Sequence, residues 1–258
     1  MKKLDSRNVK NILVSQPKPA IPEKSPFNEI AQKHNIEIGY KPFIRVVGVS
    51  LKEFRSQRIE ILDHTAVIFT SRSTVDSFFH ICEEARITVP ETMKYICQTE
   101  AVALYLQKYI VYRKRKIFFS QTGKIEGLSA SFTKNIKEKF LLPVSELHND
   151  DVASFLEKIN LDYTKSIMYR TVSNDFENGE KLDYDMLIFF SPLGVSSLLK
   201  NFPDFKEEKM AVGCFGKATI DNLNELGIKI DCEAPVPGIP SMTAALDQYL
   251  TENHKKYS

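Results

Sequence analysis

The sequence predicts an α/β protein of two related lobes, each a flavodoxin-like or Rossmann-like unit with a parallel sheet. The main observation is an internal repeat: residues 67–79 (VIFTSRSTVDSFF) align with residues 187–199 (LIFFSPLGVSSLL) at an offset of 120. Each copy has an apolar run typical of a buried strand, then a small polar turn and a helix start. Residues 93–110 and 209–228 repeat a second strand–turn–helix pattern. Strands that alternate with helices favour parallel sheets with right-handed crossovers.

The other elements follow from apolar periodicity and from turn and capping residues. Besides the strand of the second repeat, strands are predicted over residues 11–15, 36–50, 65–70, 93–97, 116–120, 140–143, 165–173, 210–214 and 229–233. Helices are predicted over residues 51–62, 75–85, 99–109, 128–139, 152–159, 218–226 and 241–253. A further helix, capped by Ser25 or by Asn28, is predicted to end at about His34. In the helix over 51–62, the side chains of Phe54, Ile59 and Leu62 are expected to face the core.

Two extended segments are expected to pass between the lobes. Residues 36–50 are rich in β-branched side chains and have few turn signals, which favours one long strand, and residues 165–173 form the return crossing. The predicted division is lobe 1 over 1–40 with 172–258, lobe 2 over 46–167, and linkers at 41–45 and 168–171. Doubly wound units bind ligands beyond the carboxyl ends of their strands. We therefore expect a ligand site between the two lobes.

The composition argues against several classes of protein. Lys and Arg total 35 against 33 for Asp and Glu, a formal charge of +2, which disfavours a protein that coats nucleic acid. No apolar run reaches the roughly 18 residues of a membrane span. The apolar run at residues 12–14 is too short for a signal peptide, so we expect a cytoplasmic protein. The basic run 108–116 (KYIVYRKRK) is interpreted as a solvated helix end.

The cysteines show no metal-binding or redox spacing. They lie in or beside apolar segments, at Cys82, Cys97, Cys214 and Cys232. We interpret them as reduced and mostly buried thiols. Because His and Cys residues do not cluster, no metal site is predicted.

Several motifs, taken in order, resemble the uroporphyrinogen-III synthase (HemD) family. They are ILVSQPKP, VIFTSRSTVDSFF, the helix start TEAVAL, MYRTV, LIFFSPLGVSSLL, VGCFGKATIDNLNELGI and EAPVPGIPSMTAAL. The resemblance runs from about residue 11 to 250. Each motif is weak alone, whereas their order and spacing together are more specific.

The resemblance implies two α/β lobes joined by two crossing strands, and a monomeric lyase of haem biosynthesis without cofactor or metal. Its substrate is hydroxymethylbilane, a linear tetrapyrrole with eight carboxylates, which the enzyme cyclises while it inverts ring D. Such catalysis consists mainly of orienting the substrate, with a proton donor near the leaving hydroxyl and hydrogen bonds to the carboxylates. Backbone N–H groups at helix N-termini can bind carboxylates without a large basic count.

The resemblance gives Tyr169 the role of assisting departure of the hydroxyl. Substrate-binding residues are expected at strand-to-helix turns: Ser71, Arg72, Ser73, Thr99, Thr122, Gly123, Ser191, Gly194, Gly216, Lys217, Ala218 and Thr219. Plainer interpretations stay open, because Tyr169 can be a packing residue and Arg72 a solvated surface residue. The serines and threonines can be ordinary helix N-caps.

Departures from the family pattern leave an alternative function open. Gln16 stands where the family has an arginine, Val236 replaces a threonine, and Cys97 and Glu100 interrupt the first G-x-x-T, although Lys18 could replace the cation. The alternative is a divergent paralogue that binds an anionic ligand without synthase activity. A two-lobed solute-binding protein and a regulatory domain of the same fold are further classes, the first disfavoured by the absent signal sequence.

Overall fold

A computed structural model describes residues 9–177, 180–205 and 210–254. It divides into two compact units, Met1–Arg45 with Val172–Ser258 and Val46–Thr171, called lobe 1 and lobe 2 from here on. The strands, in chain order, are β1 Asn11–Val14, β2 Glu37–Tyr40, β3 Ile44–Gly48, β4 Ala66–Phe69, β5 Lys94–Cys97, β6 Ile117–Phe119, β7 Phe140–Ser145, β8 Tyr163–Ser173, β9 Met186–Phe189, β10 Ala211–Phe215 and β11 Cys232–Ala234. The α-helices are α1 Pro26–His34, α2 Leu51–Ser56, α3 Arg72–Glu84, α4 Glu100–Tyr105, α5 Ser129–Lys134, α6 Asp151–Lys158, α7 Pro192–Asn201, α8 Lys217–Glu225 and α9 Met242–His254.

Lobe 1 is a parallel sheet covered on both faces by helices. Its strand order is β11-β10-β9-β1-β2. Ile12 and Val14 of β1 pack in the layer that α9 joins through Met242, whereas Leu13 faces the layer that contains Val195 of α7. Counted along the chain, this order is the 2-1-3-4-5 arrangement of flavodoxin-like folds, whose switch point lies between β1 and β9. The predicted fold class is confirmed for this lobe.

Lobe 2 repeats the arrangement with one additional edge strand. Its order is β3-β8-β7-β4-β5-β6, and β8, β7, β4, β5 and β6 pair in parallel. Val67 and Phe69 of β4 pack beneath α3 and α4, whereas Ala66 and Ile68 face α5 and α6. The switch point lies between β4 and β7, because the chain reverses its winding direction there.

The internal repeat corresponds to equivalent strands of the two lobes. β4 begins at Ala66 and β9 begins at Met186, so the offset of 120 holds in the structure. Each is the central strand of its sheet, each precedes a serine-capped helix, and each is followed by the neighbouring strand, β5 or β10. β1 and β2 then correspond to β7 and β8, so the lobes are related by a circular shift of the chain.

The segment 36–50 differs from its prediction as one long strand. β2 belongs to the sheet of lobe 1, β3 lies at the edge of the lobe 2 sheet, and residues 41–43 separate them. Pro42 cannot donate a ladder hydrogen bond, and Phe43 is fully buried in lobe 1. The boundaries between the units fall inside β3 and β8, whereas the linker limits expected from the sequence stay a prediction.

The helix over 51–62 is also wrong in part. α2 ends at Ser56, and Arg58 has a positive φ of 56°, which breaks the helical phase. Phe54 is buried as predicted, but Leu62 is 55% exposed and Ile61 takes its place in the core. The helix over 128–139 is shorter too, with a 3-10 turn at Ile125–Leu128 followed by α5.

The four cysteines are unpaired and buried, in agreement with the sequence interpretation. Burial raises the pKa of Cys82 and of Cys97 to about 12, so both thiols are protonated at neutral pH. Within residues 9–177, 180–205 and 210–254, no helix has the length and apolar character of a bilayer span.

The start of α2 is held by a capping box that extends to β8. Ser50 Oγ accepts from Glu53 N at 3.3 Å, and the Glu53 carboxylate accepts from Ser50 N at 2.8 Å. Arg170 donates to the same carboxylate at 2.7 Å. These bonds, those from Ser50 most strongly, lower the pKa of Glu53 from 4.5 to about 2.

We predict that Ser50→Ala raises the Glu53 pKa toward 4.5 and lowers Tm at neutral pH by about 2–4 °C. Because the folded-state pKa is depressed, the stabilisation is present above about pH 4.5 and is lost as the pH falls through about 2. Thermal unfolding across this pH range should show that the difference in Tm between the unsubstituted protein and Ser50→Ala becomes smaller as the pH falls. Ser196→Ala, at an exposed position within α7, is the control. A difference that is constant down to pH 2 would contradict the account.

Candidate functional site

The position of Tyr169 is set by an irregularity between β7 and β8. Val144 pairs with Ile167 and Ser145 with Tyr169, so Met168 is an extra residue on β8. A bulge of this kind re-aims the side chains that follow it. Glu146 N donates to Tyr169 O at 2.8 Å, which holds the strand after the bulge.

Gln57 supports the same strand from α2's carboxyl end. Its carboxamide donates to Ile167 O at 2.7 Å and accepts from Ile167 N at 2.8 Å. The side chain thus replaces a pair of ladder hydrogen bonds beside the bulge. Arg170, the residue after Tyr169, is held by Glu53 and by Glu146, whose carboxylate lies 3.2 Å from its Nε.

Tyr169 lines a cleft of about 760 Å³ in lobe 2. The cleft lies at the carboxyl ends of β4, β5 and β7, where Thr70, Gln98 and Ser145 follow or end these strands. The switch point between β4 and β7 therefore opens into it, as the ligand sites of doubly wound folds do. Its walls also include apolar side chains, at Ile125, Leu142, Val144, Leu147 and Val152.

The charged groups of the cleft differ in whether they already form an ion pair. Lys165 pairs with Asp150 at 2.7 Å, and His148 Nε2 lies 3.5 Å from the same carboxylate. The pairing lowers the pKa of Asp150 and raises that of Lys165. Lys124 is exposed and forms no ion pair within the described part of the chain. It is therefore the cleft cation that is available to an anionic ligand.

Tyr169 is a hydrogen-bond donor at neutral pH. Its side chain is half-buried, and burial raises the pKa of the phenol above its ordinary value of 10. The nearby Ser71 hydroxyl opposes this shift in pKa without cancelling it. The phenol thus keeps its proton and can donate it to an oxygen in the cleft.

Three of the predicted hydroxyl residues are helix N-caps. Ser71 Oγ accepts from Thr74 N at 3.3 Å, and Thr99 Oγ1 accepts from Val102 N at 3.2 Å. In lobe 1, Ser191 Oγ accepts from Gly194 N at 3.2 Å. The capping interpretation thus holds for these three hydroxyls, while binding of a ligand by the remaining helix N-terminal amides, including that of Ser73, stays a prediction.

Arg72 is exposed, and Tyr105 holds it in place. Its guanidinium lies 5.3 Å from the centre of the Tyr105 ring, and the Tyr105 hydroxyl donates to Asp76 at 2.9 Å. Stacking on an aromatic face leaves the donors at the edge of the guanidinium available. Arg72 does not line the cleft, so its role in carboxylate binding stays a prediction.

Thr122 and Gly123 shape the loop that presents the cleft residues. Thr122 Oγ1 accepts from Lys124 N at 3.3 Å, and Gly123, with φ of 72°, accepts through its carbonyl from Gln98 Nε2 at 3.2 Å. Neither lines the cleft, whereas Gln98 and Lys124 do. The sequence prediction missed Thr70 and Gln98, although both directly follow buried strands.

The lobe 1 candidates lie at the carboxyl ends of two neighbouring strands. Ser191 and Gly194 follow β9, and Gly216 follows β10 with φ of 91°, a region that favours glycine. Lys217 and Ala218 are exposed at the start of α8. Thr219 is only 2% exposed, so its side chain is part of the lobe 1 interior.

The structure locates two residues that depart from the family pattern, Val236 and Gln16. Val236 and Ile239 exchange backbone hydrogen bonds of 3.0 and 2.8 Å, which closes a tight turn before α9. Gln16 and Lys18 are exposed beyond the end of β1. Among the described residues, no three His, Cys, Asp or Glu side chains are grouped as metal ligands.

The family model of uroporphyrinogen-III synthase HemD matches residues 25–244. This chain belongs to that family. The structure of uroporphyrinogen-III synthetase from Helicobacter pylori 26695 shares the HemD fold with it, at a TM-score of 0.57 and 16% identity, over 94% of this chain and 99% of that one. A mutant uroporphyrinogen III synthase from the extremely thermophilic bacterium Thermus thermophilus aligns at a TM-score of 0.43 and 13% identity, over 96% and 99%. Among curated proteins, none matches the sequence.

Proposed function

We propose that this HemD-family protein is a cofactor-independent uroporphyrinogen-III synthase that cyclises hydroxymethylbilane and inverts ring D. The observation that carries the proposal is the half-buried phenol of Tyr169 in a cleft at the switch point of lobe 2. Family membership supplies the reaction class. The monomeric state and the cytoplasmic location expected from the sequence stay predictions.

The proposed reaction begins with departure of the terminal hydroxyl of the bilane. Tyr169 transfers its proton to this oxygen, which leaves as water and generates a protonated azafulvene. Attack on the azafulvene by the substituted carbon of ring D forms a spiro intermediate, which reopens and recloses with the ring inverted. Loss of a proton from the newly bonded carbon restores the pyrrole, and this proton returns to the Tyr169 phenolate, so the overall change is loss of one water. A phenol with a raised pKa suits the first step because it stays protonated.

The cleft combines surfaces that suit an amphipathic polycarboxylate. Leu142, Val144 and Val152 offer apolar contact for pyrrole rings, whereas Lys124 and the amide of Gln98 can bind carboxylates. Lys165 is already neutralised by Asp150. In this proposal the remaining carboxylates are bound by backbone N–H groups at helix N-termini, as expected for a chain with a formal charge of only +2.

The alternative is a divergent family member that binds an anionic ligand without synthase activity. Gln16 and Val236 favour it, because each removes a polar contact that the family pattern would supply. The catalytic demand remains modest, however, since the bilane closes spontaneously without inversion. Orientation of the substrate is then the main requirement, and Tyr169 is present.

Isomer analysis of the product distinguishes these functions. We predict that the purified protein, added to freshly prepared hydroxymethylbilane, yields the type-III isomer in place of the spontaneous type-I isomer. Chromatography of the oxidised products measures the ratio of the two. Heat-denatured protein is the control for spontaneous closure. Type-I product alone, from protein whose fold is verified by circular dichroism, would exclude the synthase and favour the alternative.

Tyr169→Phe should lower kcat by about 100-fold, because general-acid assistance contributes about 10²–10⁴ to comparable reactions. Tm should change little, because only a half-buried hydroxyl is removed. Tyr163→Phe is a matched control on the same strand, since its hydroxyl donates to Glu157 rather than facing the cleft. Equal kcat values for Tyr169→Phe and Tyr163→Phe would show that the Tyr169 phenol has no catalytic role.

Lys124→Gln should raise KM about three- to tenfold with little change in kcat, because it removes an exposed cation from a substrate carboxylate. The effect should diminish at high salt, which screens such a contact. Lys137→Gln, an exposed lysine of lobe 2 outside the cleft, is the control. A change in kcat alone, or equal effects of both variants, would argue against carboxylate binding at Lys124.

A further inference from the structure

Lobe 2 contains a second cavity, of about 160 Å³, that the proposed reaction does not use. Met93, Tyr95, Ile110 and Ile117 form its apolar wall, and we call it the Tyr95 cavity. It shares no lining residue with the cleft. Tyr95 is the second residue of β5, whereas the cleft residue Gln98 follows the carboxyl end of that strand, so the two sites lie at different ends of β5.

The hydroxyl of Tyr95 has no partner in this environment. The side chain is only 4% exposed, and its ring stacks on Phe69 with centroids 6.0 Å apart and planes 10° from parallel. Within the described residues the hydroxyl forms no hydrogen bond, and its oxygen is not enclosed by protein, so it is open to a ligand in the cavity that Tyr95 lines. Burial also raises the pKa of Tyr95, so the hydroxyl is a donor at neutral pH. A ligand oxygen in the cavity would satisfy it.

The rim of the Tyr95 cavity carries a net positive charge. Arg113 pairs with Glu91 at 2.8 Å, so these two side chains neutralise each other. Lys116 also lines the cavity, is half-exposed and has no ion-pair partner among the described residues. An anionic group at the mouth of the cavity can therefore pair with Lys116.

The volume limits the body of a ligand to about one ring. A dry cavity of about 150 Å³ in another protein is large enough to hold benzene. The Tyr95 cavity is comparable in volume and apolar in its wall, but it adds one donor inside and one cation at the rim. These features describe a flat molecule with an acceptor oxygen and a carboxylate.

We propose that the Tyr95 cavity binds a small aromatic carboxylate that carries a second oxygen, of the size of a hydroxybenzoate. The ring lies against Met93, Ile110 and Ile117, the carboxylate pairs with Lys116, and the second oxygen accepts from the Tyr95 hydroxyl. Binding involves no covalent step. Binding to the Tyr95 cavity is measured in the absence of bilane, so its outcome is independent of the synthase proposal.

A matched pair of ligands tests this assignment. Calorimetry and amide NMR shifts of the full chain, titrated with 4-hydroxybenzoate and 3-hydroxybenzoate, should show saturable binding of at least one of them. The shifts should be confined to residues 89–95 and 110–117, away from the cleft. Benzoate, which lacks the second oxygen, should bind about two- to tenfold more weakly, the range expected for one hydrogen bond.

Two variants assign the contacts. Tyr95→Phe should weaken hydroxybenzoate binding about two- to tenfold and leave benzoate unchanged, without lowering Tm, because the hydroxyl lost has no partner. Lys116→Met should weaken both ligands about two- to fivefold. Tyr112→Phe and Lys114→Met, neighbours that do not line the cavity, are the controls.

Three results would overturn the proposal. They are the absence of saturable binding, shifts that map to the cleft, or hydroxybenzoate affinity that is unchanged in both Tyr95→Phe and Lys116→Met. The Tm of each variant is measured alongside, and Lys116→Gln replaces Lys116→Met if the latter does not fold. If Tyr95→Phe gives the same ratio of type-III to type-I product as the unsubstituted protein, the synthase proposal stands even where hydroxybenzoate binding fails.

Discussion

Burial of both faces of the two central strands is the constraint on which the rest of the structure depends. All four residues of β4 and all four of β9 are at most 1% exposed, and each strand is paired along both edges. Side chains on such strands must be apolar, and their backbone groups are used by the ladders. Polar chemistry is thus confined to the residues where the chain leaves the sheet, Thr70 and Ser71 after β4 and Ser191 shortly after β9. At the switch points, neighbouring strands continue to opposite faces of the sheet, which leaves room for a ligand beside these residues.

The same constraint explains which parts of the fold could be predicted. Fully apolar runs followed by serine caps indicated β4 and β9 and revealed the repeat. Burial of both faces requires an apolar residue at every position of a strand, and such a run is recognisable in the sequence. The segment 36–50 has no comparable pattern, because its β-branched residues suit either one strand or two. Only tertiary packing assigns β2 and β3 to different sheets. The positive φ of Arg58 is likewise not encoded by residue type, so the helical phase that put Leu62 in the core was wrong.

The candidate site was predictable only in part, because it is assembled by topology. Tyr169 came from the family resemblance, and nothing in its local pattern sets it apart from a packing tyrosine. The direction of its side chain depends on the extra residue Met168, which a two-residue strand period does not anticipate. Gln98 and Lys124 line the same cleft as Tyr169, from the loops that follow β5 and β6. The sequence does not give the order of these strands in the sheet. The capping serines were placed correctly, since N-capping is a local interaction.

The departures from the family pattern bear differently on binding and on chemistry. Gln16 and Val236 lie on exposed or turn segments of lobe 1, where the loss of one polar contact changes affinity by a small factor. The direction of ring closure depends instead on holding one substrate conformation and on a donor near the leaving hydroxyl. In lobe 2 Tyr169, the donor of the proposed reaction, is present, and its strand is reinforced by Gln57 and by the ion pairs of Arg170. These contacts fix the backbone on both sides of Tyr169, and a fixed donor position is what the proposed reaction requires of this strand.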